Sequence, residues 1–406
     1  MAFKGRKYAG FRLVFKSLLT EAEPAGMALT PIKRLVLRPV SRKMNAPNPC
    51  RIIGLMSGTS GDGVDLACCD FRLHADKWNY HIHAAETITY NTTWRKRLQE
   101  AHLLPADALL ELHARYGTYL GTLVKQFCRA HKIHNVHAVA SHGHTIFHQP
   151  ARQFTFQLGS GFALHAACGL PVICDFRSLD IALGGEGAPL VPIGDELLFP
   201  QYDVCLNIGG IANLSFRYRK KRMAFDICFA NMVLNYLAQQ TGRPYDRGGR
   251  LAGSGVVNKS LFKKLRTFYN KTGRNRPSLG REIFVRYVQP LLDESKISVA
   301  DKLATCTEAI AETIVRALPE KDRLTVLCTG GGALNTYLMY RLLECGGDRI
   351  QFIIPEPEIV HHKEALIFAF LGVLRLRGEM NTLCSVTGAR HDSSGGVLID
   401  SGKRNQ

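Results

Sequence analysis

The sequence predicts an α/β fold of two domains with a ligand-binding cleft between them. The chain has 406 residues, which is enough for two or three domains. Apolar segments with the alternation of strands are interspersed with segments of helical periodicity, as is typical of α/β proteins. Each half of the chain also contains an apolar strand, a turn of small residues and a return strand. Two such domains leave a cleft as the natural place for a ligand.

Strand patterns in the first half begin with a hairpin around a polar loop. The longest helical pattern repeats apolar residues at the three- and four-residue spacing of one helix face. The predicted elements of this half are strands at 51–56, 64–72, 82–89, 136–141, 154–158 and 172–175, and helices at 106–130 and 161–168.

The second half opens in the same way, with a strand, a Gly-rich turn and a return strand. The basic run at 217–222 then has the length of a hairpin turn, and we favour a solvated turn over contact with phosphate or nucleic acid. We expect lobes at 49–200 and 201–400. The predicted elements of the second lobe are strands at 204–208, 212–216 and 324–328, and helices at 231–240, 303–318, 334–345 and 363–377.

Composition and charge exclude several classes of protein. Apolar residues make up 46% of the chain and charged residues 21%, which is globular composition. No apolar run approaches the ~18 residues of a membrane span. Residues 1–48 contain ten Lys and Arg and two acidic residues, so this stretch carries +8 of the net charge of +18. We expect a non-essential basic extension there, with a transit peptide as the alternative, and neither nucleic acid nor membrane as partner.

Twelve cysteines occur without a Cys-x-x-Cys pair, and several lie inside apolar strand patterns. Cysteines in such positions behave as small buried hydrophobic residues. We therefore expect no disulfides and a reducing, cytoplasmic location.

Three loops of small residues each follow a predicted strand. Glycines there let backbone N–H groups approach an anion, and the Ser57 hydroxyl and its neighbours would add donors. Asp62 and Asp65 are candidate ligands of Mg²⁺, and no loop has the Walker A sequence. Each loop alone is compatible with a tight turn, but three of them suit a bound nucleotide. The loop residues are Gly58, Thr59, Ser60, Gly61, Asp62, Gly63, Val64 and Asp65; Asn207, Gly209 and Gly210; and Gly330, Gly331 and Gly332.

Asp175 ends a predicted strand and is a candidate general base, because a carboxylate at a strand end faces the cleft. Arg177 would orient it or bind an anion, and an Asp–Arg ion pair at a turn is the alternative. His142 and His144 would share one face if their strand continues, and we favour a polar cleft wall over a zinc site. Glu364 is a weaker substrate candidate, with a charge at a helix start as the alternative.

Seven motifs in this order resemble the anhydro-N-acetylmuramic acid kinase family, which belongs to the actin/hexokinase-like ATPases with ribonuclease H-like domains. The resemblance covers residues 51–400. The motifs are GTSGDGVD at 58–65, SHGHT at 141–145, DFR at 175–177 with GGEGAPLVP at 184–192, NIGGIAN at 207–213, PYDR at 244–247 with GSG at 253–255, TGGG at 329–332 and SVTGA at 385–389.

The resemblance implies an ATP- and Mg²⁺-dependent enzyme that hydrolyses the 1,6-anhydro bridge of the muramyl sugar and phosphorylates O6. Asp175 would activate the water, the segment from Gly58 to Asp65 would hold the phosphates, and Arg177, His142 and Glu364 would face the sugar. The resemblance also implies a homodimer. A filament-forming or chaperone-like ATPase, a catalytically silent sugar-binding regulator and a binder of anionic polymers are the alternatives.

The chain departs from the family pattern at four places. Gly61 replaces a usual Leu, and His144 and Glu186 stand where Gln is expected. The segment 227–230 replaces a usual x-Gly-Pro-Gly stretch, although Asp226 and Asn231 are retained. None of these changes removes the candidate base or the first loop, so we expect an active enzyme.

Overall fold

Two mixed β-sheets with the same connectivity organise the chain, whose computed structural model describes residues 47–58, 61–275 and 278–402. Most of the basic extension, as well as Thr59 and Ser60 of the first glycine loop, lies outside the described residues. The strands are β1 (Cys50–Ser57), β2 (Gly63–His74), β3 (Lys77–Thr89), β4 (Ala138–Gln149), β5 (Phe154–Leu158), β6 (Val172–Cys174), β7 (Val204–Ile208), β8 (Ile211–Tyr218), β9 (Lys221–Phe229), β10 (Leu324–Thr329), β11 (Ile350–Ile353) and β12 (Val397–Ile399).

The strand order of the first sheet is β12-β6-β4-β1-β2-β3, with β5 paired to β4, and that of the second sheet is β11-β10-β7-β8-β9. In each sheet a three-stranded antiparallel meander is extended by two strands that run parallel to its first strand, β4 and β6 in the first sheet and β10 and β11 in the second. In the first sheet β5 and β12 are added in the antiparallel direction. The two sheets thus repeat one connectivity, and the predicted two-domain α/β fold is confirmed.

Helices connect and cover these sheets. The helices are α1 (Thr92–Glu100), α2 (Ala106–Ala130), α3 (Gly161–Cys168), α4 (Ser178–Ala182), α5 (Pro192–Leu198), α6 (Asn231–Gln239), α7 (Arg250–Gly253), α8 (Lys259–Asn275), α9 (Arg281–Ile283), α10 (Gln289–Asp293), α11 (Val299–Ala317), α12 (Thr336–Gly346), α13 (Pro357–Arg377) and α14 (Cys384–Thr387). Within the described ranges, no helix is long and apolar enough to cross a membrane.

The core has three parts, because each sheet is covered by helices and α13 lies against the first sheet. Helices α2 and α3 bury one face of the first sheet. The opposite face packs on α13 through Phe368 and Phe370, and Leu327 of the second sheet belongs to the same cluster. Burying each of these phenylalanines stabilises the fold by roughly 1.5–3 kcal/mol. Helices α6, α8 and α11 cover the other face of the second sheet.

Some predicted boundaries were wrong. Helix α13 begins at Pro357 rather than at residue 363, and non-helical dihedral angles at His362 mark a kink inside it. Helix α8 was missed, although its apolar residues follow a helical period. The basic run does form the β8–β9 turn, with positive φ at Arg219 and Lys220, but Arg222 is buried rather than solvated.

Candidate active site

The first glycine loop connects β1 to β2 as predicted. The Gly61 N–H donates to the Gly58 carbonyl over 3.2 Å, and the Tyr90 N–H donates to the Asp62 carbonyl over 3.1 Å. The Asp62 side chain is exposed, whereas Asp65 is partly buried and accepts a hydrogen bond from Thr87. Burial raises the pKa of Asp65. The loop therefore presents one free carboxylate and one shielded carboxylate.

Ser57 does not act as the phosphate donor predicted for it. Its side chain is buried, and its Oγ lies 2.7 Å from Tyr90 Oη and 2.9 Å from His144 Nδ1. The hydroxyl group therefore anchors the end of β1 instead of facing an anion.

The second and third glycine loops lie side by side, because β7 and β10 pair in parallel with Asn207 next to Thr329. Gly330 has a φ of +79°, and a Cβ atom there would lie 2.6 Å from Asn207 Oδ1. Only glycine fits this position without a shift of its neighbours. Asn231 Nδ2 donates to the Ile208 carbonyl over 3.3 Å and so ties the start of α6 to the same pair of loops.

The first turns of α13 connect the third glycine loop to the first. The Gly330 N–H donates to the Val360 carbonyl over 3.1 Å. Two residues further along, His362 Nδ1 lies 3.9 Å from Asp65 Oδ1, the last residue of the first loop segment. The structure therefore brings the three predicted loops together around one end of this helix.

Asp175 directly follows β6, and its side chain is exposed. Its φ of +56° is in the left-handed region, which is uncommon for a residue other than glycine and is found preferentially at functional sites. Asp175 Oδ1 accepts a hydrogen bond from the Ser178 N–H over 3.2 Å, which fixes the direction of the carboxylate and leaves Oδ2 free of hydrogen bonds to the described residues.

Arg177 is held by His142 and not by Asp175. Its Nε and Nη2 atoms lie 3.0 and 2.8 Å from His142 Nε2, and its Nη1 donates to the Gly187 carbonyl over 2.6 Å. His142 Nδ1 lies 2.9 Å from the Gly143 carbonyl, so the imidazole is neutral with its proton on Nδ1. Burial lowers the pKa of His142 well below its usual value and that of Arg177 to about 10. The Asp–Arg ion pair of the alternative interpretation does not occur.

Glu364 lies inside α13, two residues after the kink, and not at the helix start that the sequence indicated. Burial raises the pKa of Glu364, and the neighbouring charge of Asp65 raises it further, whereas the charges of Lys363 and Arg177 oppose this shift. Glu364 is therefore within electrostatic reach of both the first glycine loop and Arg177. Glu364 thus couples the candidate sugar residues electrostatically to the first glycine loop.

His142 and His144 do not share a face of β4. The strand continues as predicted, but His142 packs on Phe368 of α13, whereas His144 contacts Ser57 on the side covered by α2. No cluster of three or more metal-binding side chains occurs among the described residues.

Sequence reasoning missed the residue that shapes the segment after Arg177. Asp180 is buried and accepts hydrogen bonds from the Gly187 N–H and from Thr387 Oγ1, both over 2.8 Å. It thereby ties the segment at 184–190 to α14 near the end of the chain. Nothing in its sequence context distinguishes this aspartate from a surface one.

Comparison with known proteins identifies the family of the chain. A family profile described as anhydro-N-acetylmuramic acid kinase matches residues 50–401. The chain belongs to the anhydro-N-acetylmuramic acid kinase family. Curated relatives of that name include one from Sulfurimonas denitrificans, 31% identical over 86% of this chain and 99% of the relative. Another, from Gloeobacter violaceus, is 34% identical over 84% of this chain and 96% of the relative.

As an anhydro-N-acetylmuramic acid kinase family member, the protein is an enzyme, a phosphotransferase that uses ATP. All twelve cysteines lie within the described ranges, and each is free there.

Proposed function

We propose that the protein cleaves the 1,6-anhydro bridge of 1,6-anhydro-N-acetylmuramic acid with ATP and water, giving N-acetylmuramate 6-phosphate and ADP. The reaction belongs to peptidoglycan recycling and amino-sugar catabolism. The electrostatic interaction of buried Glu364 with both Arg177 and Asp65 supports this proposal most directly. A sugar bound beside Arg177 would then lie near the phosphate end of a nucleotide on the first loop.

In this proposal Asp175 is the general base. Its carboxylate takes a proton from water, and the water oxygen forms a bond to the anomeric carbon while the bond from that carbon to O6 breaks. O6 then attacks the γ-phosphorus of ATP, and the bond from phosphorus to the bridging oxygen breaks to release ADP. Arg177, fixed by His142, and Glu364 would hold the sugar in line for both steps.

The three glycine loops would hold ATP, with Asn207, Gly209, Gly210 and the glycines after Thr329 next to the nucleotide. Mg²⁺ prefers one or two carboxylates together with phosphate oxygens, and the exposed carboxylate of Asp62 beside the loop fits that requirement. When bound, the ion would neutralise charge on the transferred phosphoryl group. Asp65 would assist through water.

The remaining proposals concern the protein as a whole. We propose a cytoplasmic homodimer that does not bind nucleic acid. We place the lobe boundary near residue 200, and we assign α13 and β12 to the first lobe because they pack on or pair with the first sheet.

The decisive experiment incubates the purified protein with ATP, Mg²⁺ and the anhydro sugar, and measures ADP and a phosphorylated reducing sugar. We expect both products in equal amounts, and ADP release should depend on the sugar. Binding of both ligands without either product would instead support the silent sugar-binding regulator.

A further inference from the structure

Four buried side chains form an unbranched hydrogen-bonded chain beneath the first glycine loop. Tyr116 Oη lies 2.5 Å from Tyr90 Oη, Tyr90 Oη lies 2.7 Å from Ser57 Oγ, and Ser57 Oγ lies 2.9 Å from His144 Nδ1. None of the four residues is more than 7% exposed. This series of hydrogen bonds runs from the middle of α2 through Ser57, at the end of β1 and directly before Gly58, to His144 of β4.

A bulge in β4 places His144 in this chain. The parallel register pairs Leu55 with Ser141 and then Ser57 with His144, so β4 contains one extra residue. Gly143 lies at the bulge with a φ of +75°, and a Cβ atom there would lie 2.6 Å from the Leu158 carbonyl oxygen. The bulge therefore turns His144 away from Arg177 and toward Ser57.

The assignment of a donor and an acceptor to each of these hydrogen bonds determines the tautomer of His144. If Nδ1 accepts from Ser57, then Tyr90 donates to Ser57 and Tyr116 donates to Tyr90, so every hydroxyl proton has an acceptor. If Nδ1 carries a proton, each hydrogen bond in the series points the other way, and the Tyr116 hydroxyl has no acceptor among the described residues. Tyr116 is 0% exposed, and a buried donor without a partner is costly. His144 is therefore neutral with its proton on Nε2.

Tyr90 holds both ends of the first glycine loop. Its side-chain hydroxyl group contacts Ser57 before the loop, and its backbone N–H donates to the Asp62 carbonyl after it. We propose that Tyr90 and His144 are positioning residues that fix Ser57 and Asp62, which flank the first glycine loop, and so favour the binding of nucleotide phosphates there. The proposal rests on the proposed function in assuming that the phosphates bind at this loop.

The surroundings of His144 agree with a neutral imidazole. The titratable groups that face it are Tyr90 and Tyr116, and His142 lies two residues away on the opposite face of the strand. Burial lowers the pKa of His144 to about 4. The hydrogen-bond direction derived above therefore holds throughout the neutral pH range.

The test compares H144A, H144Q and H113Q. Glutamine keeps an acceptor for Ser57, whereas alanine removes it. His113 of α2 is a matched control, because its Nδ1 also accepts a hydrogen bond, from the Gly159 N–H over 3.0 Å, but it is not one of the four hydrogen-bonded residues. We expect H144A to weaken ATP binding in calorimetry roughly three- to tenfold, the size of one lost hydrogen bond. H144Q and H113Q should remain within twofold of the parent protein.

The Michaelis constants for ATP and for the sugar distinguish a positioning role of His144 from general damage to the fold. In H144A the constant for ATP should rise by the same factor while that for the sugar changes less than twofold. Equal rises in both constants, or an unchanged ATP affinity, would overturn the proposal. If the parent protein binds ATP but does not convert the sugar, the proposed function fails, while the calorimetric comparison still tests the two positioning residues.

A spectroscopic measurement covers the case in which H144A does not fold. Long-range proton–nitrogen NMR spectra of the parent protein report the tautomer of each histidine, and the signals of His144 are those missing from the H144Q spectrum. We expect a neutral ring with its proton on Nε2 at pH 7. A proton on Nδ1 would contradict the proposed hydrogen-bond direction.

Discussion

Lys363 Nζ lies 2.7 Å from Asp195 Oδ1, and both side chains are almost completely buried, at 6% and 4% exposure. Lys363 follows the kink of α13, and Asp195 belongs to α5. The Ser215 hydroxyl of β8 donates to the other carboxylate oxygen of Asp195, and Arg222 of β9 donates to Ser215 Oγ over 2.7 Å. This buried ion pair therefore ties the helix on the first sheet to the second sheet.

Lys363→Met should destabilise the protein by about 3–5 kcal/mol, because it leaves a buried carboxylate without its main counter-charge. Urea unfolding measures the effect. Lys321→Met is the matched control: its ammonium group also lies 2.6 Å from a carboxylate, that of Asp203, but the lysine side chain is 56% exposed. That change should cost less than about 1 kcal/mol. Similar losses in the two variants would contradict the importance of burial.

Asp175→Asn should lower turnover by roughly 10²–10⁴-fold, because the amide cannot accept the proton of the attacking water. Calorimetry should show unchanged binding of ATP and sugar, since Asn keeps an acceptor for the Ser178 N–H. Full turnover in this variant would remove Asp175 from the role of base.

Asp62→Ala should raise the Mg²⁺ concentration needed for half-maximal rate, because the loop loses its exposed carboxylate. The fold should be unaffected, since the contribution of this residue to the structure is its backbone carbonyl, which accepts from Tyr90. A titration of the initial rate with Mg²⁺ at fixed ATP measures the change. An unaltered titration curve would exclude Asp62 as a ligand.

Gly330→Ala should reduce both stability and ATP affinity, because the new Cβ atom would meet Asn207 Oδ1 at 2.6 Å. Gly169→Ala separates this clash from backbone strain, since Gly169 has a similar φ of +76° with no atom within 4 Å of the added Cβ. Gly169→Ala should cost about 1 kcal/mol in thermal or urea unfolding and leave ATP affinity unchanged. Equal behaviour of the two variants would argue against close contact between the second and third loops.

Stability should fall as the pH drops below about 6.5, because burial lowers the pKa of His144 from 6.5 to about 4. Over this interval the unfolded chain takes up a proton that the folded protein does not, so the contribution is complete above pH 6.5 and is lost toward pH 4. The loss amounts to about 1.4 kcal/mol per pH unit. Urea unfolding at pH 7 and pH 5 should show a smaller decline in H144Q, in which His142 still titrates. An identical decline would show that His144 does not take part.

The sequence was sufficient for the features that depend on local pattern. Apolar alternation located β1, β7 and β10, and the glycines after them marked the three loops that the structure brings together. It was not sufficient for contacts that depend on the path of the chain. The Arg177–His142 contact joins residues 35 apart, and the bulge at Gly143 reverses the face of His144 against simple alternation. The start of α13 was missed because Pro357 and the kink at His362 interrupt its period.

Four residues of helix α13, within the five from Val360 to Glu364, interact with other parts of the proposed site or of the core. Their partners are Gly330, Asp65, Asp195 and Arg177. Consecutive side chains on a helix point about 100° apart, so Lys363 contacts Asp195 of α5, while Glu364 interacts electrostatically with Arg177 and Asp65. A small tilt of helix α13 would displace the proposed nucleotide site and the proposed sugar site together. Binding at either proposed site should therefore affect the other, and ATP and the sugar should bind synergistically.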